Sequence, residues 1–217
     1  MTSRLLILTR NKGGYQRIKV SAIDIDTGRS HNLLEENGEL PAFSRPYHVG
    51  EVMEVEYEPV PGLRAPHTED ILVSRAERIP GLLPDIEEIA EKYGPVPAGD
   101  ERALFDGRLS VTGSGSAFIN AQNLVNYSAS FWRASRPLVK VRFQNKIRYT
   151  FVSATSKVSM PYMGLEVDLP PLIPAGTLLR VTLGPWWRPE NAPQFEERCY
   201  LQLSAFYRGA GNSPAAK

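Results

Sequence analysis

Cysteine occurs once in the 217 residues, at Cys199, and histidine three times, at His31, His48 and His67. A single thiol excludes an internal disulfide, and no Cys/His spacing of the kind zinc needs is present. Long apolar runs are also missing. Nothing approaches the ~20 residues of a membrane-spanning helix, and the opening MTSRLLILTRNKGG holds only four consecutive apolar side chains, too few for a secretory leader. These absences predict a cytoplasmic chain with no metal and no cofactor. Neither Gly-x-x-x-x-Gly-Lys-Ser/Thr nor Gly-x-Gly-x-x-Gly occurs. Gly113-Ser-Gly-Ser-Ala has the wrong order for a nucleophile elbow, and no histidine follows it. No catalytic residue is therefore expected, and an enzyme is not predicted.

Acids are missing from one long stretch. Between Asp106 and Glu166 no carboxylate occurs, while Arg108, Arg133, Arg136, Lys140, Arg142, Lys146, Arg148 and Lys157 do. The formal charge is +1 overall but −8 over residues 51–110 and +7 over residues 111–217. Such segregation predicts a positive field over part of the surface.

What is present is mostly β pattern. Ile18 to Ile25 reads as a strand, and the following Asp26-Thr-Gly-Arg29 suits a tight turn. Glu51 to Glu58 (EVMEVEYE) sets Met53, Val55 and Tyr57 against Glu54, Glu56 and Glu58, the period of two of a half-buried strand with an acidic outer face. LVKVRFQNKIRYTFV, residues 138–152, reads as a hairpin turning at Gln144-Asn145. Its apolar side is expected to hold Val139, Val141, Phe143, Ile147, Tyr149 and Phe151, and its other side to be almost wholly cationic. One helix is expected after Pro84, capped by Asp85, with Ile86, Ile89, Ala90 and Tyr93 as its stripe and Gly94-Pro95 as its stop.

Three blocks recur in the same order. Gly50–Pro59 aligns without gaps on Gly176–Pro185, Ile71–Ser74 on Leu201–Ser204, and Ile18–Val20 on Val139–Val141, at offsets of 126, 130 and 121 residues. The reading is an all-β chain of two tandem OB-like β-barrels. Residues 1–79 form the first and residues 107–208 the second. Residues 80–106 connect them through the short helix, and residues 209–217 form a disordered tail.

The strand with its Asp-Thr-Gly-Arg turn, then Tyr47-His-Val-Gly-Glu-Val-Met-Glu-Val, then His67-Thr-Glu-Asp-Ile-Leu-Val, resembles the first half of the bacterial dual OB-containing domain family. The basic Val-Lys-Val-Arg-Phe hairpin, Tyr-Thr-Phe-Val and the late Leu-Gln-Leu-Ser strand resemble its second half. The resemblance spans nearly the whole chain. It implies binding of nucleic acid or of protein partners, often in prokaryotic defence, and brings no catalytic residues.

The basic hairpin is the sharpest candidate site. Successive phosphates call for cations arrayed on one face, and single strands add aromatic platforms on which bases stack. Lys140, Arg142, Lys146 and Arg148 are expected to neutralise phosphate, with Trp132 stacking and Arg133 and Arg136 clamping. The alternatives are a protein surface meeting the same charges, as in an adaptor that bridges subunits without touching nucleic acid, and an ordinary solvated sheet face. Trp187 and Arg188, after a Gly-Pro bend, are expected as a partner-binding anchor. His67, Glu69 and Asp70 read mainly as a strand entry rather than a metal or acid–base site. Cys199 reads as a buried filler.

Overall fold

The computed structural model describes residues 1–152, 157–191 and 193–208; the tail expected over 209–217 lies outside the described residues. The first five strands are β1 (Thr2–Lys12), β2 (Ile18–Asp24), β3 (Ser30–Glu35), β4 (Val52–Pro59) and β5 (Asp70–Arg78). They close into a barrel in the order β1-β2-β3-β5-β4. Every pair is antiparallel except β3–β5, which is parallel. That is the OB arrangement.

Alternation decides which side chains fill it. Met53, Val55 and Tyr57 turn inward to join Leu5, Ile7, Val20, Leu33 and Ile71, and Glu54, Glu56 and Glu58 stay in water, as the period of two requires. The turn after β2 is built by Asp24, whose Oδ1 accepts from the Asp26 and Thr27 amides. Gly28 in that turn has φ 76°, and a Cβ there would stand 2.4 Å from the Tyr93 ring. Only glycine meets both conditions.

Helix α1 (Ile86–Lys92) starts at Asp85, whose carboxylate accepts from the Glu87 amide at 2.6 Å, a capping bond that satisfies one orphan donor. Lys92 and Tyr93 then bond the Ile25 carbonyl. The second half continues with β6 (Ala98–Gly99), β7 (Ser110–Val111), β8 (Ala117–Ile119), β9 (Ala129–Ala134), β10 (Leu138–Phe143), β11 (Lys146–Val152), β12 (Lys157–Pro161), β13 (Leu172–Ile173), β14 (Leu178–Leu183) and β15 (Cys199–Tyr207). These form a sheet ordered β12-β11-β10-β13 and a sheet ordered β6-β9-β14-β15-β8-β7.

Pairing shows that the second unit repeats the first. β9 pairs with β14 as β1 does with β4, and β10 pairs with β11 as β1 does with β2. β9 and β10 are thus one bent first strand, broken at Ser135-Arg136-Pro137. The parallel contact between third and fifth strands survives as the single bridge Tyr162–Leu203. Two of the three repeated blocks fall on equivalent strands, β4 with β14 and β5 with β15. Each copy of the first block opens on a left-handed glycine, Gly50 at φ 89° and Gly176 at φ 77°. The third alignment does not hold topologically: Ile18–Val20 lies in β2, whereas Val139–Val141 lies in the first-strand equivalent.

The two barrels share a core. Leu6, Leu8, Ile23, Ile25 and Val52 of the first pack against Ile89 and Ala90 of α1 and Phe131, Leu178, Ala205 and Tyr207 of the second. The helix expected within a connecting segment is therefore part of a common apolar cluster. No helix among the described residues is long and apolar enough to cross a membrane.

Candidate nucleic-acid interface

The β10–β11 hairpin turns through Gln144 and Asn145, both in the left-handed region (φ 47° and 59°), the geometry of a two-residue type I′ turn. Such a turn pairs Phe143 with Lys146, Val141 with Arg148 and Val139 with Thr150. Directly paired residues share a face, so each odd-numbered residue of β10 shares its face with an even-numbered residue of β11. The two apolar rows expected on one side consequently lie on opposite sides. The core can take only one of them. It takes Ile147, Tyr149 and Phe151, which meet Val158, Met160 and Leu138, and leaves Val139, Val141 and Phe143 facing outward.

This corrects the expected cationic ribbon. Lys140 and Arg142 are on the inward side of β10, while Lys146 and Arg148 are on the outward side of β11. Lys140 donates to the Leu169 carbonyl. Arg142 shares the parity of the core but sits at the hairpin tip, where it is exposed and makes no ion pair among the described residues. Arg148 lies flat against β12, its Nε donating to Ser159 Oγ at 2.9 Å, and half-burial lowers its pKa.

Trp132 is also corrected. It is fully buried, packs edge-on to Phe151 with ring centroids 5.4 Å apart, and donates through Nε1 to the Gly99 carbonyl at 3.2 Å. No base can stack on it. Arg133 is held by Glu87 at 2.9 Å and Glu91 at 2.8 Å of α1, so its charge is answered within the chain. Arg136, at the bend between β9 and β10, is exposed and makes no ion pair among the described residues.

The side of β13-β10-β11-β12 away from the core therefore carries Leu172, Val139, Val141, Phe143, Lys146, Arg148, Thr150, Val152, Lys157 and Ser159, of which Thr150 is buried. It contains no carboxylate. Phe143 is 60% exposed and Val139 47%. Sequence reasoning missed Phe143 as a surface aromatic and Lys157 as a neighbour of this face. The two-residue turn was the signal, since its length alone fixes which rows coincide.

Trp186 and Trp187 part as adjacent strand residues do. Trp186 donates through Nε1 to the Ala65 carbonyl at 3.0 Å, with Arg64 4.1 Å above its ring. Trp187 is 52% exposed and sits edge-on to Tyr200, with ring centroids 6.0 Å apart. Arg188 is exposed beside it.

His67-Thr-Glu-Asp binds the barrels to each other. His67 Nε2 donates to the Gly184 carbonyl at 3.0 Å, Thr68 Oγ1 donates to the Asn126 carbonyl, and Glu69 accepts from the Ser128 amide and hydroxyl. Burial lowers the His67 pKa. Cys199 is buried, and its Sγ is 3.7 Å from His67 Nε2, the nitrogen whose proton goes to Gly184, so the imidazole is no base toward the thiol. Burial pushes the thiol up to about 12, and it stays protonated near pH 7. Among the described residues no group of His, Cys, Asp and Glu is arranged to hold a metal ion.

No family model matches the chain, and no curated protein matches it. Among solved structures it is similar to a murine DNA binding protein bound with double-stranded DNA, at 10% identity and a TM-score of 0.33, covering 94% of this chain and 92% of that one. It is similar to the p204 HINb domain at 10% identity and a TM-score of 0.34, covering 94% and 96%. The tetrameric p202 HIN2 gives 9% identity and a TM-score of 0.29, covering 94% and 93%. Superposition at this level does not bear on what the chain binds.

Proposed function

We propose that the chain is a non-enzymatic binding module that holds single-stranded nucleic acid on the outward face of its second barrel. The observation that carries this reading is Phe143, an aromatic ring presented to water at the hairpin tip between Arg142 and Lys146, with no carboxylate on the sheet face behind it. Bases stack on such a ring at about 1–3 kcal/mol each. Lys146, Arg148 and Lys157 lie along the phosphate path on that face, with Arg142 reaching it from the other side of the hairpin tip and Arg136 at its edge. In OB folds this face and its flanking loops are the usual place for an oligonucleotide, and Trp187 with Arg188 belong to one such loop, between the fourth and fifth strands of the second barrel. The family resemblance adds the proposal that the module works with protein subunits in a prokaryotic defence assembly in the cytoplasm.

The test is fluorescence anisotropy with labelled oligo(dT) and oligo(U) at two salt concentrations. Four neutralised phosphates give a slope of log affinity against log salt near −3. Phe143→Ala lowers affinity about tenfold without changing that slope, and Arg142→Gln with Lys146→Gln makes it shallower. Unchanged affinity and slope in both variants overturns the reading.

A second reading rests on a separate observation. Val139, Val141, Val152 and Leu172 form an exposed aliphatic strip on the same face, and contiguous apolar surface marks protein docking. An adaptor of this kind binds no oligonucleotide at low salt and loses a copurifying partner on Val141→Glu.

A further inference from the structure

The docking of the two barrels leaves a cleft of about 360 Å³ between the outer side of β1-β2-β3 and the strands β14 and β15. Its volume falls within the range of small-ligand sites and is too small for a folded partner. Leu34, Leu40, Met163 and Pro185 line it with apolar surface, while Asn11, Lys19, Asn32, His67, Asp70 and Gln202 line it with polar groups.

The polar groups are only partly used by the protein itself. Asn11 is 7% exposed, and its Oδ1 is buried with no hydrogen-bond partner among the described residues. An orphaned buried carbonyl costs roughly 1–3 kcal/mol, which a bound donor recovers. Asp70 uses Oδ1 to accept from Asn32 Nδ2 at 3.0 Å, and Oδ2 makes no hydrogen bond among the described residues. His67, which lines the cleft, commits Nε2 to the Gly184 carbonyl, so Nδ1 is left as an acceptor. Lys19 is exposed at the cleft and makes no ion pair among the described residues. The cleft thus offers several acceptors, one cation and apolar surface.

We propose that this inter-barrel cleft binds a ribonucleoside monophosphate, with the phosphate at Lys19, ribose or amine donors on Asp70 and Asn11, and the base against Met163 and Pro185. The reading is independent of the oligonucleotide face, because none of these residues lies on β10–β13.

Isothermal titration of the full chain with AMP, alongside adenosine and ribose 5-phosphate, tests it. AMP is expected to bind saturably with a Kd below about 1 mM, and each fragment to bind at least tenfold more weakly. Lys19→Ala, at an exposed position that does not touch the core, is expected to weaken AMP at least fivefold and leave adenosine unchanged. Asp70→Asn is expected to weaken both AMP and adenosine. Phe143→Ala is expected to leave AMP binding unchanged, which separates this site from the oligonucleotide face. No saturable AMP binding, or binding that is indifferent to Lys19→Ala and Asp70→Asn, overturns the assignment.

Discussion

Arg180 supplies the most demanding test of the packing between the barrels. It is fully buried, makes no ion pair among the described residues although the Glu69 carboxylate favours its charge from a distance, stacks its guanidinium 4.6 Å above Phe131, and donates to Ser30 Oγ at 2.7 Å, while its Nε finds no partner among the described residues. Burial lowers its pKa. A charged hydrogen bond contributes about 1.5–3 kcal/mol and a desolvated cation–π contact about 2 kcal/mol. Against these stands a residual desolvation penalty of several kcal/mol. Arg180→Met keeps the side-chain volume and the contact with the ring, removes the penalty, and adds about 1.5–3 kcal/mol of apolar burial. Ser30, only half-buried, can turn its hydroxyl to water. The expected outcome is unchanged stability or a gain of up to about 3 kcal/mol, seen as a rise of about 2–4 °C in Tm per kcal/mol for a chain of this size. Urea and thermal unfolding followed by circular dichroism measure it. A loss of more than about 1 kcal/mol refutes the view that Arg180 is held at a cost.

Other outcomes follow from the same contacts. Trp132→Ala removes a fully buried indole and is expected to cost about 3–5 kcal/mol, with oligonucleotide affinity per folded molecule unchanged; anisotropy corrected for folded fraction checks it. Val141→Thr, on the outward row, is expected to stay within about 0.5 kcal/mol, whereas Tyr149→Ala on the inward row costs at least about 3 kcal/mol in urea melts. His31 and His67 both have pKa values lowered by burial, so the unfolded chain takes up their protons first. Stability is therefore lost as pH falls below about 6.5, and His67→Gln is expected to flatten that decline in melts between pH 7 and 5. Cys199, raised to about 12, is expected to resist iodoacetamide at pH 8 until the chain unfolds.

Much of the architecture was legible where one residue row plainly belonged inside. EVMEVEYE offers no choice, because three glutamates exclude one face, and β4 forms as its alternation dictates. The Gly50 and Gly176 blocks announced equivalent strands because each needs a left-handed residue before its apolar row. The hairpin was legible as a hairpin but not in its facing, since both of its strands carry an apolar row and only the turn length sets which rows coincide. Trp132 and Arg133 were unreadable for another reason. Their fates depend on α1 and Gly99, partners 33–46 residues away that local pattern does not specify. The polar seam at His67-Thr-Glu-Asp is likewise invisible until a second barrel stands against it. At equivalent outward positions the two copies differ, Glu54 in water and Arg180 buried, because only one of those faces is covered.

The apolar seam that joins the halves has a practical consequence. Leu6, Leu8, Phe131, Leu178 and Tyr207 are sheltered by the opposite barrel, so either half expressed alone would display a greasy flank and tend to clump. Dissection by truncation is then a poor route to assigning roles, and substitutions in the intact polypeptide are the cleaner one. The same seam ties the melting of one half to that of the other, which gives the pair a fixed mutual orientation instead of beads on a string.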